Sequence, residues 1–386
     1  MVDTRMKFYG LPYQGSKNFI ATRIARDLPP AENYYDLFCG GGAVLQAVSE
    51  IKKYKNYYTN ELNPVVYDGL VKAFSGYYKT ENRWISREDF WKLKDTDFYV
   101  YSCFSFGNKG TSYCYGTHIE PWKKAVHYAR VFNDFSLLKE FGIITTDISK
   151  SNIKKHLAEY KSKYIKWFCD TKNLSYDNLD RNKSIIMNQF TTEKERNKKD
   201  LIKLEKTEDF YLLENQQTLK RLINFRDQTN LRSSEILLRQ NNLQRLHRLQ
   251  KIQLLNNIAF YNKDYREIEI KDNSVVYCDP PYVGTEPYHI KNEEIKFNHE
   301  EFYRYIKELS KNKTIKIFIS EYFMPSEDFI KIREYPKISS MVRNEYDFGI
   351  KTDNLYIPKS QKYEDPLEED MFPMFRSNYA ESDFNW

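Results

Sequence analysis

The segment VVYCDPPYVGT, residues 275–285, places a carboxylate, two prolines and an aromatic ring directly after an apolar run. The exocyclic amino group of a nucleobase is a poor nucleophile, because its lone pair is delocalised into the ring. The carboxylate of Asp279 and the carbonyl oxygen of Pro280 can accept both N–H bonds of such an amine and free the lone pair for attack. Pro280 and Pro281 present no competing donor, and Tyr282 offers a ring for stacking. Taken alone, the tripeptide DPP also fits a simple turn after a strand.

A second segment, DLFCGGGAV at residues 36–44, has three glycines between an apolar run and a helical pattern. Glycine permits positive φ and close approach of a ligand, and the start of a helix offers free N–H groups. The spacing is neither the GxGxxG of dinucleotide enzymes nor a P-loop, which disfavours hydride transfer and nucleotide hydrolysis. About 20 residues later, Glu61 ends the next apolar run, where an acid commonly binds ribose hydroxyls. A simple turn and an exposed acid are the structural alternatives.

The loop LPYQGSK, residues 11–17, combines Tyr13, a Gly-Ser turn and Lys17. Such a loop can cover a ligand that carries a carboxylate, with Lys17 as its counter-ion.

These segments need a scaffold that brings them together. Apolar runs at residues 34–39, 56–61, 258–263, 275–280, 315–320 and 354–358 predict buried strands. Helical patterns follow the first run and precede the fifth, so we predict a wound α/β sheet. Residues 151–255 break this alternation with long leucine-spaced polar segments. The apolar runs resume at Ile258, which favours an inserted, mainly helical module over two tandem domains.

Taken together, YQGSK, DLFCGGG, TNELNP, a long basic interval, NKDY and DPPY resemble the Dam-type (D12 class) DNA adenine-N6 methyltransferases. The resemblance implies a wound, mostly parallel, Rossmann-like methyltransferase sheet with an inserted, mainly helical DNA-recognition domain. It also implies S-adenosylmethionine as cofactor and S-adenosylhomocysteine as product. The implied domains are a catalytic domain at 1–115 and 250–360, a basic target-recognition region at 116–249, and an acidic, aromatic tail at 361–386.

The resemblance also assigns roles to individual residues. The residues that match its catalytic motif are Asp279, Pro280, Pro281 and Tyr282. Those that match its cofactor motifs are Tyr13, Lys17, Asp36, Phe38, Gly40, Gly42, Glu61, Asp264 and Tyr265. The sequence departs from the family at FISEYFMP, where Ser320 and Glu321 replace the Ser-Asn pair that the family often has near the target base.

Positive charge is concentrated in one block, because residues 151–251 hold 22 Lys and Arg against 13 Asp and Glu. This distribution predicts that one module contacts a polyanion, although a solvated helical face is the alternative. In the block, the candidate DNA contacts are Arg221, Arg226, Arg232, Arg239, Arg245 and Arg248. The segment YSCFSFGNKG resembles the family segment that leads into recognition of DNA, which implies Asn108 and Lys109 as further candidates. The expected partner is double-stranded DNA, and the protein is expected to be a monomer or weak dimer.

Other classes of protein fit the sequence less well. The five cysteines are scattered and the six histidines form no metal-binding spacing, so we predict free thiols and no metal. No run approaches the roughly 18 apolar residues that span a bilayer, and we expect a cytoplasmic protein without a membrane segment. The ordered motifs that resemble the D12 class, together with the basic block, predict transfer of a methyl group from S-adenosylmethionine to N6 of a flipped adenine in double-stranded DNA. A cytosine-N4 or RNA amino-methyltransferase and a non-catalytic DNA-binding relative remain the alternatives.

Overall fold

The computed structural model describes residues 9–51, 54–143, 157–172, 174, 257–285, 288–290, 293–338 and 350–363. The chain divides into two compact units. The first comprises residues 1–81, 92–111 and 245–386, and the second comprises residues 82–91 and 112–244.

The first unit contains the strands of the structure. They are β1 (Asn33–Asp36), β2 (Asn56–Asn60), β3 (Ile258–Tyr261), β4 (Ser274–Cys278), β5 (Tyr288–Ile290), β6 (Glu293–Ile295), β7 (Ile315–Glu321), β8 (Phe329–Ile338) and β9 (Ile350–Pro358). Seven of them form one sheet in the order β3-β2-β1-β4-β7-β9-β8, and β5 and β6 form a hairpin.

The sheet is mostly parallel. Strand β1 pairs in parallel with both β2 and β4, β2 with β3, and β4 with β7. Strand β9 is antiparallel to both of its neighbours, β7 and β8. The chain leaves β1 toward β2 on one side and later returns to β4 on the other. In open α/β sheets the crevice at the carboxyl ends of two such strands is the usual place for a ligand.

The helices of the structure are α1 (Ala21–Asp27), α2 (Ala43–Ile51), α3 (Pro64–Phe74), α4 (Arg87–Leu93), α5 (Phe98–Cys103), α6 (Glu120–Val131), α7 (Ser136–Glu140), α8 (Leu157–Thr171) and α9 (His299–Leu309). Short 3₁₀ turns lie at Tyr77–Thr80, Phe106–Asn108 and Tyr265–Glu267. Helix α3 begins where it does because the Asn63 side chain accepts from the Val65 N–H and Pro64 takes the first helical position. The Asn298 side chain caps α9 in the same way.

The core that holds the crevice in place is built from alternating strand residues and one helix face. Val276 and Cys278 of β4 pack with Ile317 of β7 against Phe302 and Ile306 of α9, and all five are fully buried. Because both faces of β4 are covered, the strand reads as the continuous apolar run SVVYC.

The described part of the second unit is helical. Trp122 of α6, Leu138 of α7 and Tyr164 and Phe168 of α8 belong to one buried cluster, which Phe141 joins from the loop after α7. The Tyr164 hydroxyl donates to the His118 carbonyl at 2.7 Å. Residues 175–256, which include the leucine-spaced part of the predicted insert, lie outside the described residues.

The predicted fold class is confirmed, since the unit has a seven-stranded, mostly parallel sheet. Each of the six predicted runs forms a strand, and AVLQAVSEI forms α2. Strand β8 and the β5–β6 hairpin were not predicted. The sequence of β8, FIKIREYPKI, alternates charges with apolar residues and contains Pro336, which a strand tolerates at a sheet edge. The helical insert and the domain boundaries stay predictions.

Candidate active site

A cavity of about 230 Å³ lies in the first unit at the carboxyl ends of β1, β2 and β4. This is roughly fifteen times the space that one water molecule needs. The predicted site residues that line it are Tyr13, Lys17, Asp36, Phe38, Gly40, Glu61, Asp264, Tyr265, Asp279 and Pro281. Gly42, Pro280 and Tyr282 are not among the lining residues. The cavity thus brings together segments that are far apart in the sequence.

The glycine loop is shaped by the close approach of the loop that precedes α1. The Leu11 N–H donates to the Gly41 carbonyl at 2.6 Å. A Cβ at Gly41 would lie 2.7 Å from the Leu11 carbonyl oxygen, and a Cβ at Gly40, which has φ +50°, would lie 3.0 Å from the Tyr13 ring. The glycines therefore admit a neighbouring stretch of chain as well as any ligand.

Glu61, which follows β2, is bound to the same glycine loop. Its Oε2 accepts from the Gly40 N–H at 2.9 Å and its Oε1 accepts from the Asn63 N–H at 2.8 Å. Burial raises the pKa of Glu61 to about 7, although these two bonds act in the opposite direction. The carboxylate keeps lone pairs that can accept hydrogen bonds from hydroxyl groups. Its role in binding ribose stays a prediction.

Asp36 ends β1 and is buried at the base of the cavity. Its Oδ1 is buried and has no hydrogen-bond partner among the described residues. Burial raises its pKa well above the usual value, and the negative charge of Asp279 adds to this shift. A buried acceptor without a partner is a position at which a ligand donor would be bound favourably.

One end of the cavity is aromatic. The Phe38 ring lies 5.2 Å from the Tyr265 ring and 5.7 Å from the Phe297 ring. Asp264 accepts from the Arg266 Nε at 2.7 Å, so its carboxylate already has a cationic partner. An aromatic surface bordered by polar groups suits a flat heterocycle.

Asp279 follows β4 and forms an ion pair with Lys17. The Lys17 Nζ lies 2.7 Å from Oδ1 and 2.8 Å from Oδ2 of Asp279. The same Nζ lies over the Tyr282 ring, 4.6 Å from its centroid. Only 7% of the Lys17 side chain and 18% of the Asp279 side chain are exposed. Burial raises the pKa of Asp279, and the charge of Lys17 opposes the shift. The predicted role of Lys17 as a cofactor counter-ion stays a prediction.

Glu321 ends β7 beside these groups and is 1% exposed. Its Oε1 accepts from the Tyr322 N–H at 2.7 Å and its Oε2 accepts from the Val283 N–H at 3.2 Å. The Tyr322 ring meets the Tyr282 ring edge to face at 4.6 Å. Burial raises the pKa of Glu321 to about 7.

Several residues that line the cavity were not predicted from the sequence. They are the segment at residues 295–298, together with Arg266 and Glu301. Arg266 also forms an ion pair with Glu301. The Asn298 cap before an amphipathic helix marks where this segment ends, but nothing in the sequence shows that it folds back over the cavity.

Among the residues that the structure describes, none of those predicted to contact DNA lines the cavity. Asn108 and Lys109 lie in and after the Phe106–Asn108 turn of the first unit and do not line the cavity. Asn108 has φ +58°, a left-handed conformation that asparagine adopts more readily than most residues. The arginines proposed to contact DNA, at positions 221, 226, 232, 239, 245 and 248, lie outside the described residues.

Two features are absent from the residues that the structure describes. No group of His, Cys, Asp and Glu side chains among them could hold a metal ion. No helix among them has both the length and the apolar character needed to cross a membrane.

A seven-stranded, mostly parallel sheet with a cavity at its carboxyl edge is consistent with a Rossmann-like methyltransferase. Residues 13–106 match the family model of the D12 class N6 adenine-specific DNA methyltransferases. The match confirms the resemblance to this family and the predicted class of enzyme, a DNA adenine-N6 methyltransferase. It covers about a quarter of the chain, which includes the predicted site residues from Tyr13 to Glu61, and it ends before Asp264 and Asp279. A search of curated proteins found no match.

Proposed function

We propose that the protein transfers a methyl group from S-adenosylmethionine to N6 of an adenine that is flipped out of double-stranded DNA. The observation that supports this most directly is the position of the Lys17 ammonium group, which contacts the Asp279 carboxylate and lies over the Tyr282 ring. Asp279 and Tyr282 together therefore accommodate a nitrogen donor beside the cavity. An exocyclic amine on a planar base has the same requirements, which are an acceptor for its N–H bonds and a surface for its ring.

The cavity residues fit the cofactor. Asp36, with its unpartnered buried oxygen, is suited to the amino group of the methionine part. Glu61 is suited to ribose hydroxyls, and the aromatic end of the cavity, formed by Phe38 and Tyr265, is suited to adenine. When bound, S-adenosylmethionine supplies an electrophilic methyl group on a sulfonium centre.

The chain's own contribution to the reaction is to bind and orient the amine. Asp279 and the carbonyl of Pro280 accept its two N–H bonds, which draws the lone pair out of conjugation with the ring. The nitrogen gains a bond to the methyl carbon and gives up one proton, which the Asp279 carboxylate accepts. Stacking on Tyr282 offsets part of the few kcal/mol that flipping costs. Lys17 must leave Asp279 before the amine can bind, because both need the same oxygens.

The test is a methyl-transfer assay on duplex DNA with S-adenosylmethionine labelled in its methyl group, followed by digestion to nucleosides and mass spectrometry. We expect label in N6-methyldeoxyadenosine with the wild-type protein and none with Asp279→Ala. Asp272→Ala is the matched control, because Asp272 precedes the opposite end of β4 and contacts Asn312 and Thr314. Label in N4-methyldeoxycytidine would overturn the choice of base. Label that appears only when RNA replaces the duplex DNA in the same assay would overturn the choice of substrate. DNA binding without any transfer would favour the non-catalytic alternative.

A further inference from the structure

The carboxylate of Glu321 is bonded to two backbone N–H groups that belong to different segments of the site. One is the N–H of Val283, in the turn that follows the catalytic motif. The other is the N–H of Tyr322, which continues from β7. Both N–H groups are close in sequence to a ring of the Tyr282–Tyr322 pair. Val283 directly follows Tyr282, and the second N–H belongs to Tyr322 itself. One buried side chain therefore joins the backbone at both rings, which meet edge to face at 4.6 Å.

The other hydrogen bonds of the Val283 turn are local. The N–H and the hydroxyl of Thr285 donate to the Tyr282 carbonyl at 3.1 and 2.7 Å, and Gly284 has φ +75°. Such bonds give the turn its shape but move with it, so they do not fix it relative to the sheet. The bond from Val283 to Glu321 does, because Glu321 is the last residue of β7.

The second half of this arrangement is anchored independently. The Tyr322 carbonyl accepts from the Asn354 Nδ2 at 2.8 Å and from the Tyr356 hydroxyl at 3.1 Å, and both donors belong to β9. Tyr322 is thus held at its N–H by Glu321 and at its carbonyl by the neighbouring strand. Glu321 therefore links the backbone next to Tyr282 to two strands of the central sheet, β7 and β9.

We propose that Glu321 is a positioning residue for methyl transfer, which holds Tyr282 at the angle at which a flipped base stacks while its amine reaches Asp279. The proposal rests on the proposed function of this site. Lys17 contacts Asp279 and Tyr282 only while no amine replaces it. The bond from Val283 to Glu321 and the ring contact with Tyr322 do not involve Lys17, so both can persist when Lys17 has moved.

A carboxylate is the side chain that this task requires. It has two acceptor oxygens for two N–H donors, whereas a glutamine or asparagine has one oxygen and would turn an NH₂ group toward the second donor. Burial and the nearby charge of Asp279 disfavour the ionised form, and Lys17 favours it. A buried carboxyl group whose pKa is shifted in this way is a candidate for a functional role.

The test compares Glu321→Gln and Glu321→Ala with a matched control. Gln361→Ala is the control. The buried Gln361 side chain accepts a hydrogen bond from the backbone N–H of Ile317 in β7, and this bond does not involve the Val283 turn. Single-turnover methyl transfer is measured at saturating cofactor and DNA, below the unfolding temperature of every variant. We expect the rate to fall about tenfold in Glu321→Gln and about a hundredfold in Glu321→Ala, because one and then both of the backbone donors lose their acceptor. The control is expected to keep the wild-type rate, and cofactor affinity is expected to stay within about twofold throughout.

A double-mutant cycle separates positioning from general stability. If Glu321 acts through Tyr282, the effect of Glu321→Gln shrinks to less than about threefold in a Tyr282→Leu background. An undiminished effect in that background, or a wild-type rate for Glu321→Gln, would overturn the proposal.

Hydrogen exchange gives a readout that does not depend on activity. Amides at residues 282–285 are expected to exchange faster in both Glu321 variants than in the wild type and in Gln361→Ala, with or without ligands. Unchanged exchange there would also overturn the proposal. Faster exchange in a protein that transfers no methyl group to any substrate would instead show that the proposed function has failed while the contact is real.

Discussion

Replacing Lys17 by methionine removes one partner of the ion pair at the centre of the site. The Asp279 carboxylate then loses the cation at 2.7 and 2.8 Å and is left largely buried. Breaking a fully buried pair in this way costs about 3–5 kcal/mol. Because Asp279 keeps 18% exposure, we expect a loss in the free energy of unfolding of about 2–3 kcal/mol at pH 8.

The stability that Lys17→Met loses is expected to increase with pH. Burial already raises the pKa of Asp279, and removing Lys17 removes the main influence that lowers it. In the variant, the folded state therefore holds a proton that the unfolded state releases. Its stability is greatest below the ordinary pKa of an aspartate and falls as pH rises through the raised folded pKa. The difference from the wild type is thus smaller at pH 5 than at pH 8.

Urea unfolding of Lys17→Met, Asp279→Asn and the double variant at both pH values is the assay. We expect the double variant to lose less than the two single variants combined, with a coupling of about 1–3 kcal/mol at pH 8. Additive losses, or a Lys17→Met cost that does not change between pH 5 and pH 8, would refute the reasoning.

Three further predictions concern the cavity. Asp279→Ala abolishes methyl transfer but changes cofactor affinity, measured by calorimetry, by no more than a few-fold, because the other lining groups remain. Since the pKa of Glu61 rises from 4.5 to about 7 on folding, this group alone contributes a loss of about 3 kcal/mol of stability as pH rises between these values, and Glu61→Gln lacks this contribution when unfolding is followed against pH. Gly41→Ala lowers stability by about 1–3 kcal/mol and weakens cofactor binding, because its Cβ meets the Leu11 carbonyl oxygen at 2.7 Å. Unchanged thermal unfolding of Gly41→Ala would contradict that contact.

The strands that carry the site could be predicted from the sequence because they are buried. Strands β1 and β4 are covered on both faces and appear as short apolar runs that end in an acid. The positions of Asp36, Glu61 and Asp279 at one edge of a parallel sheet follow directly. Strand β8 escaped prediction because an edge strand has charges and Pro336 where a central strand would be apolar.

The contacts between side chains in the site could not be predicted. Lys17 and Asp279 are separated by 262 residues, and nothing local to either residue specifies the other. Glu321 could be recognised only as a departure from the family, because the backbone donors that it binds are invisible in a sequence. The glycine loop was expected to make room for a ligand, and it also makes room for Leu11.

The central claim, that Asp279 and its surroundings methylate adenine in DNA, is tested most directly by long-read sequencing of DNA from cells that express the wild-type protein or Asp279→Ala. We expect N6-methyladenine at a recurring sequence in the first sample and at no such sequence in the second. Modified cytosine in its place, or equal adenine modification in both samples, would contradict it.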